Sequence, residues 1–307
     1  MGVTVTRKQF EAALKFIKKH YTPVSLEVVI ADPTGKHLPA RPVLVTFDDA
    51  YASVREFAAP LCYQLGVPAV FFVNGSCLDN RQLALENLIC YVVNVFGLDT
   101  LNAAMRSVSV RRDFEVSSLS QVFSHFLPAT TLSGRAAFRN ALIEISGINE
   151  AALAAEAALY LNAKQLRSIV NFGFEIGNHT YSHANCRTLS SSDFGEEIDR
   201  NKAVLDAISG TNVRSFSVPY GSSVDLTSTL AEHLRLSGYK AVFLAEGRGN
   251  SLWTSASILD RVSIQATTDS AFFSEIEVLP RLRTIRSLLS NSEAWKQRKE
   301  PAVCSKV

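Results

Sequence analysis

The chain has 307 residues, nearly half of them apolar, enough to bury a large core in one barrel-sized domain or two smaller ones. Its formal charge is +2 with acids and bases interspersed, which leaves no broad electrostatic footprint for nucleic acid or an anionic membrane surface. Five scattered cysteines, odd in number and without CxxC spacing, argue against a disulfide framework or a structural zinc site.

Met1 to Gln9 lacks the apolar core of a signal peptide, and no later segment is apolar for the length that spans a bilayer. The expectation is a cytoplasmic protein without an integral membrane segment. Pro42 to Phe47 reads as a buried strand, Ala52 to Leu65 as a helix, and Pro68 to Val73 as a second strand, a βαβ beginning. Between Leu78 and Leu161 the pattern shifts to long stretches rich in Ala, Leu, Ser and Arg, such as Leu83 to Phe96 and Ala136 to Ile145. This predicts a helical insertion at about 79–161, suited to covering an active-site mouth and equally to packing or a dimer surface.

From Arg167 the rhythm resumes. A strand near Phe172 to Gly177 is followed by a helix near Asp193 to Ile208, opened by Ser191, Ser192 and Asp193, and then by strand Ser215 to Val218. A helix near Leu226 to Leu236 stops at Gly238, strand Lys240 to Leu244 follows, then strand Arg261 to Ile264. The basic tail, about 281–307, reads as a solvated helix and frayed end. Strands separated by helices imply an α/β fold with a parallel sheet, closed as a barrel or doubly wound, in a single domain with one insertion.

Chemistry gathers where strands run out. Thr46-Phe47-Asp48-Asp49 sets two carboxylates directly after the run Val43-Leu44-Val45. Side chains of neighbouring strand residues point to opposite faces, but at a strand end the backbone turns, so one carboxylate can ligate a metal while the other approaches water. Taken alone, Asp48-Asp49 also fits a polar strand exit capping the next helix. His179 and His183 follow another strand end, in His179-Thr180-Tyr181-Ser182-His183. If that four-residue step is helical, both imidazoles project from one face about 5–6 Å apart at Cβ, close enough for one divalent ion. Two nitrogens and one carboxylate oxygen leave a position open for water, the arrangement of a catalytic rather than a structural site. Alone, the pair also fits two surface or capping histidines. The other four, His20, His37, His125 and His233, occur singly. The third element, Phe216-Ser217-Val218-Pro219-Tyr220-Gly221, is a strand running into a turn whose N–H groups suit a developing oxyanion, or a simple turn.

The order and context of TFDD, HTYSH and VPYG resemble the polysaccharide deacetylase family, the NodB-homology domain of carbohydrate esterase family four. The likeness covers roughly residues 3–74 and 163–264, including the lead through Phe10, Val24-Ser25-Leu26 and Leu38-Pro39-Ala40-Arg41, and leaves the insertion outside. The resemblance implies a distorted (β/α) barrel with about seven or fewer parallel strands. It also implies that Asp48 is a general base, that Asp49, His179 and His183 are metal ligands, and that the Tyr220 backbone N–H binds the oxyanion. The reaction implied is hydrolytic removal of an N-acetyl group from an N-acetylhexosamine unit.

Several positions depart from the family pattern. Its third motif commonly has an arginine before the proline, where Ser217 and Val218 stand here. Arg261, in Asp260-Arg261-Val262 where a fourth motif falls, is the candidate to reach the same carboxylate from another side; pairing with Asp260 at the surface is its alternative. No histidine follows His233, so the family's terminal histidine acid is missing. Ala50 stands where the family usually has glycine, which strains the backbone only if φ is positive there. The resemblance implies a strand ahead of the segment that here starts at Met1, so the expectation is an open seam or an alternative first strand, which would favour pairing with another element or subunit. The expectation is therefore a metal-dependent deacetylase of a carbohydrate substrate, with zinc as the default ion and cobalt, nickel or manganese fitting the same donors. An amidohydrolase acting on a non-sugar C–N bond and a catalytically weakened carbohydrate-binding protein are the other readings, and homo-oligomerisation is left open.

Overall fold

The computed structural model describes residues 5–32, 34–108, 115–250 and 257–287, and among these eight short strands form the frame. β1 (Thr22–Pro23) and β2 (Pro42–Val43) make a separate parallel pair. The other six, β3 (Val45–Phe47), β4 (Ala69–Val73), β5 (Glu175–Asn178), β6 (Ser215–Ser217), β7 (Ala241–Phe243) and β8 (Ile258–Leu259), lie side by side in chain order, each pair parallel. This sheet curls into a half-barrel with β3 and β8 at its edges, the distorted (β/α) barrel expected from the sequence.

Period-two alternation divides β4 between two cores. Val70 and Phe72 pack with Ala241 and Phe243 and with Leu26 of α2 (Leu26–Ala31), which follows α1 (Arg7–His20). Phe71 and Val73 turn the other way, toward Leu166, Ile169, Leu205 and Leu230 of the surrounding helices. Gly177 makes room inside the curl, since a Cβ there would lie 2.2 Å from the Phe72 ring. Its replacement by alanine would force that ring to move.

After β3 a π-helical turn (Val54–Ala58) leads into α3 (Ala59–Leu65), which Gly66 ends in the left-handed conformation that glycine adopts without a Cβ clash. The chain between β4 and β5 is mostly helical: α4 (Leu85–Phe96), α5 (Leu98–Val108), the short α6 (Leu119–Gln121) and α7 (Leu127–Ala129), α8 (Leu132–Ser146), α9 (Glu150–Ala157) and α10 (Ala163–Asn171). Its apolar faces meet in a second core of Leu88, Ile89, Val92, Leu101, Met105, Phe138 and Leu142. Full burial of a side chain such as Phe138 stabilises by about 1.5–3 kcal/mol. The chain returns beside the β3 exit, where the Ala52 N–H donates to the Leu159 carbonyl at 2.7 Å and the Leu161 N–H to the Ala50 carbonyl at 2.9 Å. α11 (Arg200–Ser209), α12 (Ser228–Leu236) and α13 (Asp269–Phe273) complete the helical layer.

Two sequence expectations need correction. The run from Pro42 to Phe47 is not one strand: its first two residues pair with β1 and its last three with β4. The last strand is Ile258–Leu259 and not Arg261 to Ile264, because Asp260 turns the chain out of the sheet. Its carboxylate accepts from the N–H groups of Glu246, Gly247, Arg248 and Arg261, fastening the segment to the loop after β7. Of the basic tail, 281–287 are helical, whereas 288–307, with Cys304, lie outside the described residues. Among the described residues no helix is long and apolar enough to cross a membrane.

Candidate metal centre

Three parallel strands deliver the site at their C-terminal ends, where a parallel sheet places its loops. β3 leads to Asp48-Asp49, β5 to His179 and His183, and β6 to Ser217 and Tyr220. The turn after β3 is made by two left-handed residues, Asp49 at φ 71° and Ala50 at φ 55°. Ala50 therefore adopts the conformation glycine would take freely, at a cost of about 1–2 kcal/mol for an L-residue. This turn brings both carboxylates to one side of the sheet rim: Asp48 Oδ2 lies 3.7 Å and Asp49 Oδ1 3.6 Å from His179 Nε2.

The step from His179 to His183 is a loop and not a helical turn, with Thr180 at φ 60° and His183 at φ 57°. Buried asparagines hold it. Asn74 Nδ2 donates to the carbonyls of His179 and Thr180, and Asn201 Nδ2 donates to the Thr180 carbonyl at 3.0 Å and to Asn178 Oδ1 at 2.7 Å. Buried Glu197 takes up the Ser182 N–H at 2.9 Å and its hydroxyl at 2.7 Å. With these main-chain groups satisfied, the left-handed residues persist because their surroundings over-determine them.

Both imidazoles have their Nδ1 engaged. His179 Nδ1 lies 2.8 Å from the Ser217 carbonyl oxygen, which can only accept, so the proton sits on Nδ1 and Nε2 keeps its lone pair. His183 Nδ1 lies 3.2 Å from Glu86 Oε1, which leaves Nε2 3.7 Å from Asp49 Oδ1. One oxygen of Asp49 and one nitrogen each of His179 and His183 lie within 4.8 Å of one another, a donor set that can hold one divalent cation. Two imidazole nitrogens with a single carboxylate fit zinc or a similar borderline ion, and three protein donors leave room for further ligands.

Asp48 stands beside this set, gripped by Arg261: Nη1 to Oδ1 is 2.7 Å and Nη2 to Oδ2 is 2.8 Å, a two-pronged pair. Arg261 also donates to Ser217 Oγ at 2.7 Å, Thr46 Oγ1 at 3.2 Å and the Leu244 carbonyl at 3.0 Å. The small side chain of Ser217 lets a guanidinium from beyond β8 occupy space that a long residue on β6 would fill. From Arg261 the Asp260 carboxylate accepts only the backbone N–H, so the alternative of a surface pair between those neighbours does not hold. Burial alone would raise the Asp48 carboxyl, but Arg261 and then His179 outweigh it and hold it far below the usual carboxylate range. Burial likewise lowers His179, whereas in His183 it is overcome by Glu86 and Asp49, which carry the imidazole up to about 9.

Tyr220 closes the ring of motif residues at φ 63°, its aromatic ring 5.0 Å from that of His183. The turn depends on Gly221, at φ 72°, where a Cβ would meet the Ala245 amide nitrogen at 2.7 Å. The tyrosine hydroxyl donates to Glu86 Oε1 at 2.7 Å and accepts from Arg135 Nη1 at 3.2 Å. Glu86 and Arg135 escape sequence reasoning: one is an acid in the first turn of α4, the other a base on amphipathic α8, both of which read as solvated positions.

Residues 134–242 match the polysaccharide deacetylase family model, a span that holds His179, His183 and Tyr220. No curated protein matches the chain. Among solved structures, the Streptococcus pyogenes deacetylase PplD in complex with acetate is similar at TM-score 0.58 and 15% identity, with 90% of this chain and 89% of that one covered. IcaB from Ammonifex degensii follows at TM-score 0.54 and 19% identity, with 90% and 91% covered. A de-N-acetylase from Aggregatibacter actinomycetemcomitans is similar at TM-score 0.54 and 16% identity, with 89% and 91% covered. At such identities these structures speak for the fold alone, and the likeness to the polysaccharide deacetylase family rests on the matched segment, residues 134–242.

Proposed function

We propose that the chain is a metal-dependent hydrolase that removes the N-acetyl group from an N-acetylated sugar, oligosaccharide or glycolipid, releasing acetate and a free amine. The carrying observation is the convergence of Asp49, His179 and His183 beside a second carboxylate, Asp48, that Arg261 keeps ionised. In this reading Asp49, His179 and His183 hold the cation, with zinc the first candidate from its donor preferences. When bound there, a divalent cation polarises the amide carbonyl and acidifies water.

The chain's own groups supply the rest. Asp48 accepts a proton as water attacks the acetyl carbon, and the Tyr220 N–H donates to the oxygen on which negative charge develops. A carboxyl held below the usual range returns that proton readily. With the family's terminal histidine absent, Asp48 protonates the departing nitrogen as the C–N bond breaks, so one residue serves first as base and then as acid. The two-pronged grip of Arg261 keeps its oxygens oriented through both steps.

Zinc content and acetate release from N-acetylated chito-oligosaccharides test the reading on the parent chain and on Asp48→Asn. The variant is expected to keep its ion and lose about 10²–10⁴-fold in turnover. Oligosaccharide binding without acetate release from the zinc-loaded parent would replace the hydrolase with a carbohydrate-binding protein.

A further inference from the structure

The two imidazoles that face Asp49 are backed differently. His179 Nδ1 leans on a main-chain carbonyl of the sheet, whereas His183 Nδ1 leans on Glu86 of α4, in the helical segment that the family motifs do not include. Glu86 Oε1 lies 3.2 Å from His183 Nδ1, 2.7 Å from the Tyr220 hydroxyl and 3.1 Å from Arg135 Nη2. Its other oxygen is buried without a hydrogen-bond partner. Arg135, only 4% exposed, reaches across from α8 to the same oxygen.

That is a costly assembly to keep. Two charges are withdrawn from water between α4 and α8, and one carboxylate oxygen goes unused, although an apolar pair would pack there without desolvation. Neither helix needs this ion pair for its own hydrogen bonds, since Glu86 sits in the first turn of α4 and Arg135 lies inside α8. Glu86 meets the imidazole at Nδ1, away from Nε2, and is not among the residues whose donor atoms converge within 4.8 Å. What its placement does is engage Nδ1 and leave Nε2 on the side of Asp49.

We propose that Glu86 is a positioning residue that sets the affinity of the centre for its cation through His183, with Arg135 holding the carboxylate in place. This rests on Asp49, His179 and His183 being the ligand set. The helical segment thereby carries part of the metal site, and Tyr220 is tied to the same carboxylate. Carboxylates placed in this way behind a ligating histidine are typically worth 10–100-fold in metal affinity.

The test is competition for zinc against a chromophoric chelator, beginning from metal-free protein, with folding checked by circular dichroism. Glu86→Gln keeps the shape and removes the charge, and is expected to weaken zinc binding by about 10–100-fold. Because this variant strands a buried guanidinium, the double variant Glu86→Gln/Arg135→Met is measured beside it and is expected to stay equally weak. Zinc affinity within about twofold of the parent in the folded single variant, or its recovery in the double variant, would overturn the proposal. Acetate release does not enter this readout, so a parent that binds zinc but hydrolyses nothing would end the hydrolase reading and leave this one standing.

Discussion

The rim of the half-barrel and the helical segment over it contribute to one site by opposite means. The rim supplies Asp48, Asp49, His179 and Tyr220 from strand ends, fixed by short loops with left-handed residues and buried amides. The helical segment supplies Glu86 and Arg135 from helix faces, fixed by packing around Phe138 and Leu88. Loop geometry places the first group within a few residues of chain, whereas the second depends on a separately built core lying in register with the rim. Strain is concentrated accordingly. Five of the nine left-handed residues other than glycine among the described residues, Asp49, Ala50, Thr180, His183 and Tyr220, lie in the three motif loops.

Disturbing each side in turn sharpens the contrast. The largest effect on stability is expected from Phe138→Ala, which opens a cavity in the helical core and should cost about 3–5 kcal/mol in urea unfolding. If the helices only roofed the barrel, zinc affinity of the folded fraction would be untouched; loosening of Glu86 and Arg135 should weaken it. On the rim, Arg261→Ala removes the two-pronged hold on Asp48. If holding the base in orientation is worth as much as one charge-assisted hydrogen bond, about 1.5–3 kcal/mol, kcat/KM should fall by about 10–100-fold with zinc content unchanged. Unchanged kinetics would reduce the arginine to a packing role. The smallest effect lies where the two regions are stitched, at Ala50. Ala50→Gly relieves a left-handed alanine and should raise stability by up to about 1 kcal/mol by thermal unfolding, whereas a loss would mean that the turn is not strained.

Much of the rim was legible in the sequence because strand ends announce themselves. Apolar runs stop, paired acids or histidines follow, and a parallel sheet puts such ends together. The histidine step was harder to read. A four-residue spacing suits a helix, and only the positive φ values of Thr180 and His183, stabilised by Asn74, Asn201 and Glu197 far away in sequence, make a loop of it. The last strand lies earlier than Arg261 to Ile264 because the alternation of Val262 and Ile264 resembles a strand, whereas the Asp260 carboxylate, gathering four backbone N–H groups, ends the sheet before it. Arg261 was identified by position, and the structure shows its reach to Asp48. Glu86 and Arg135 left no such trace, since their significance comes from how α4 and α8 pack and from nothing in their local spacing.

The grip of Arg261 on Asp48 has a mechanical side. Asp48 leaves the first strand of the curled sheet and Arg261 follows the last, so their ion pair ties the two open borders, as main-chain pairing would in a closed cylinder. A proton arriving on that carboxylate neutralises one half of the tie. In the proposed reaction the carboxylate that takes up the proton is therefore also one half of the link between the sheet's first and last strands.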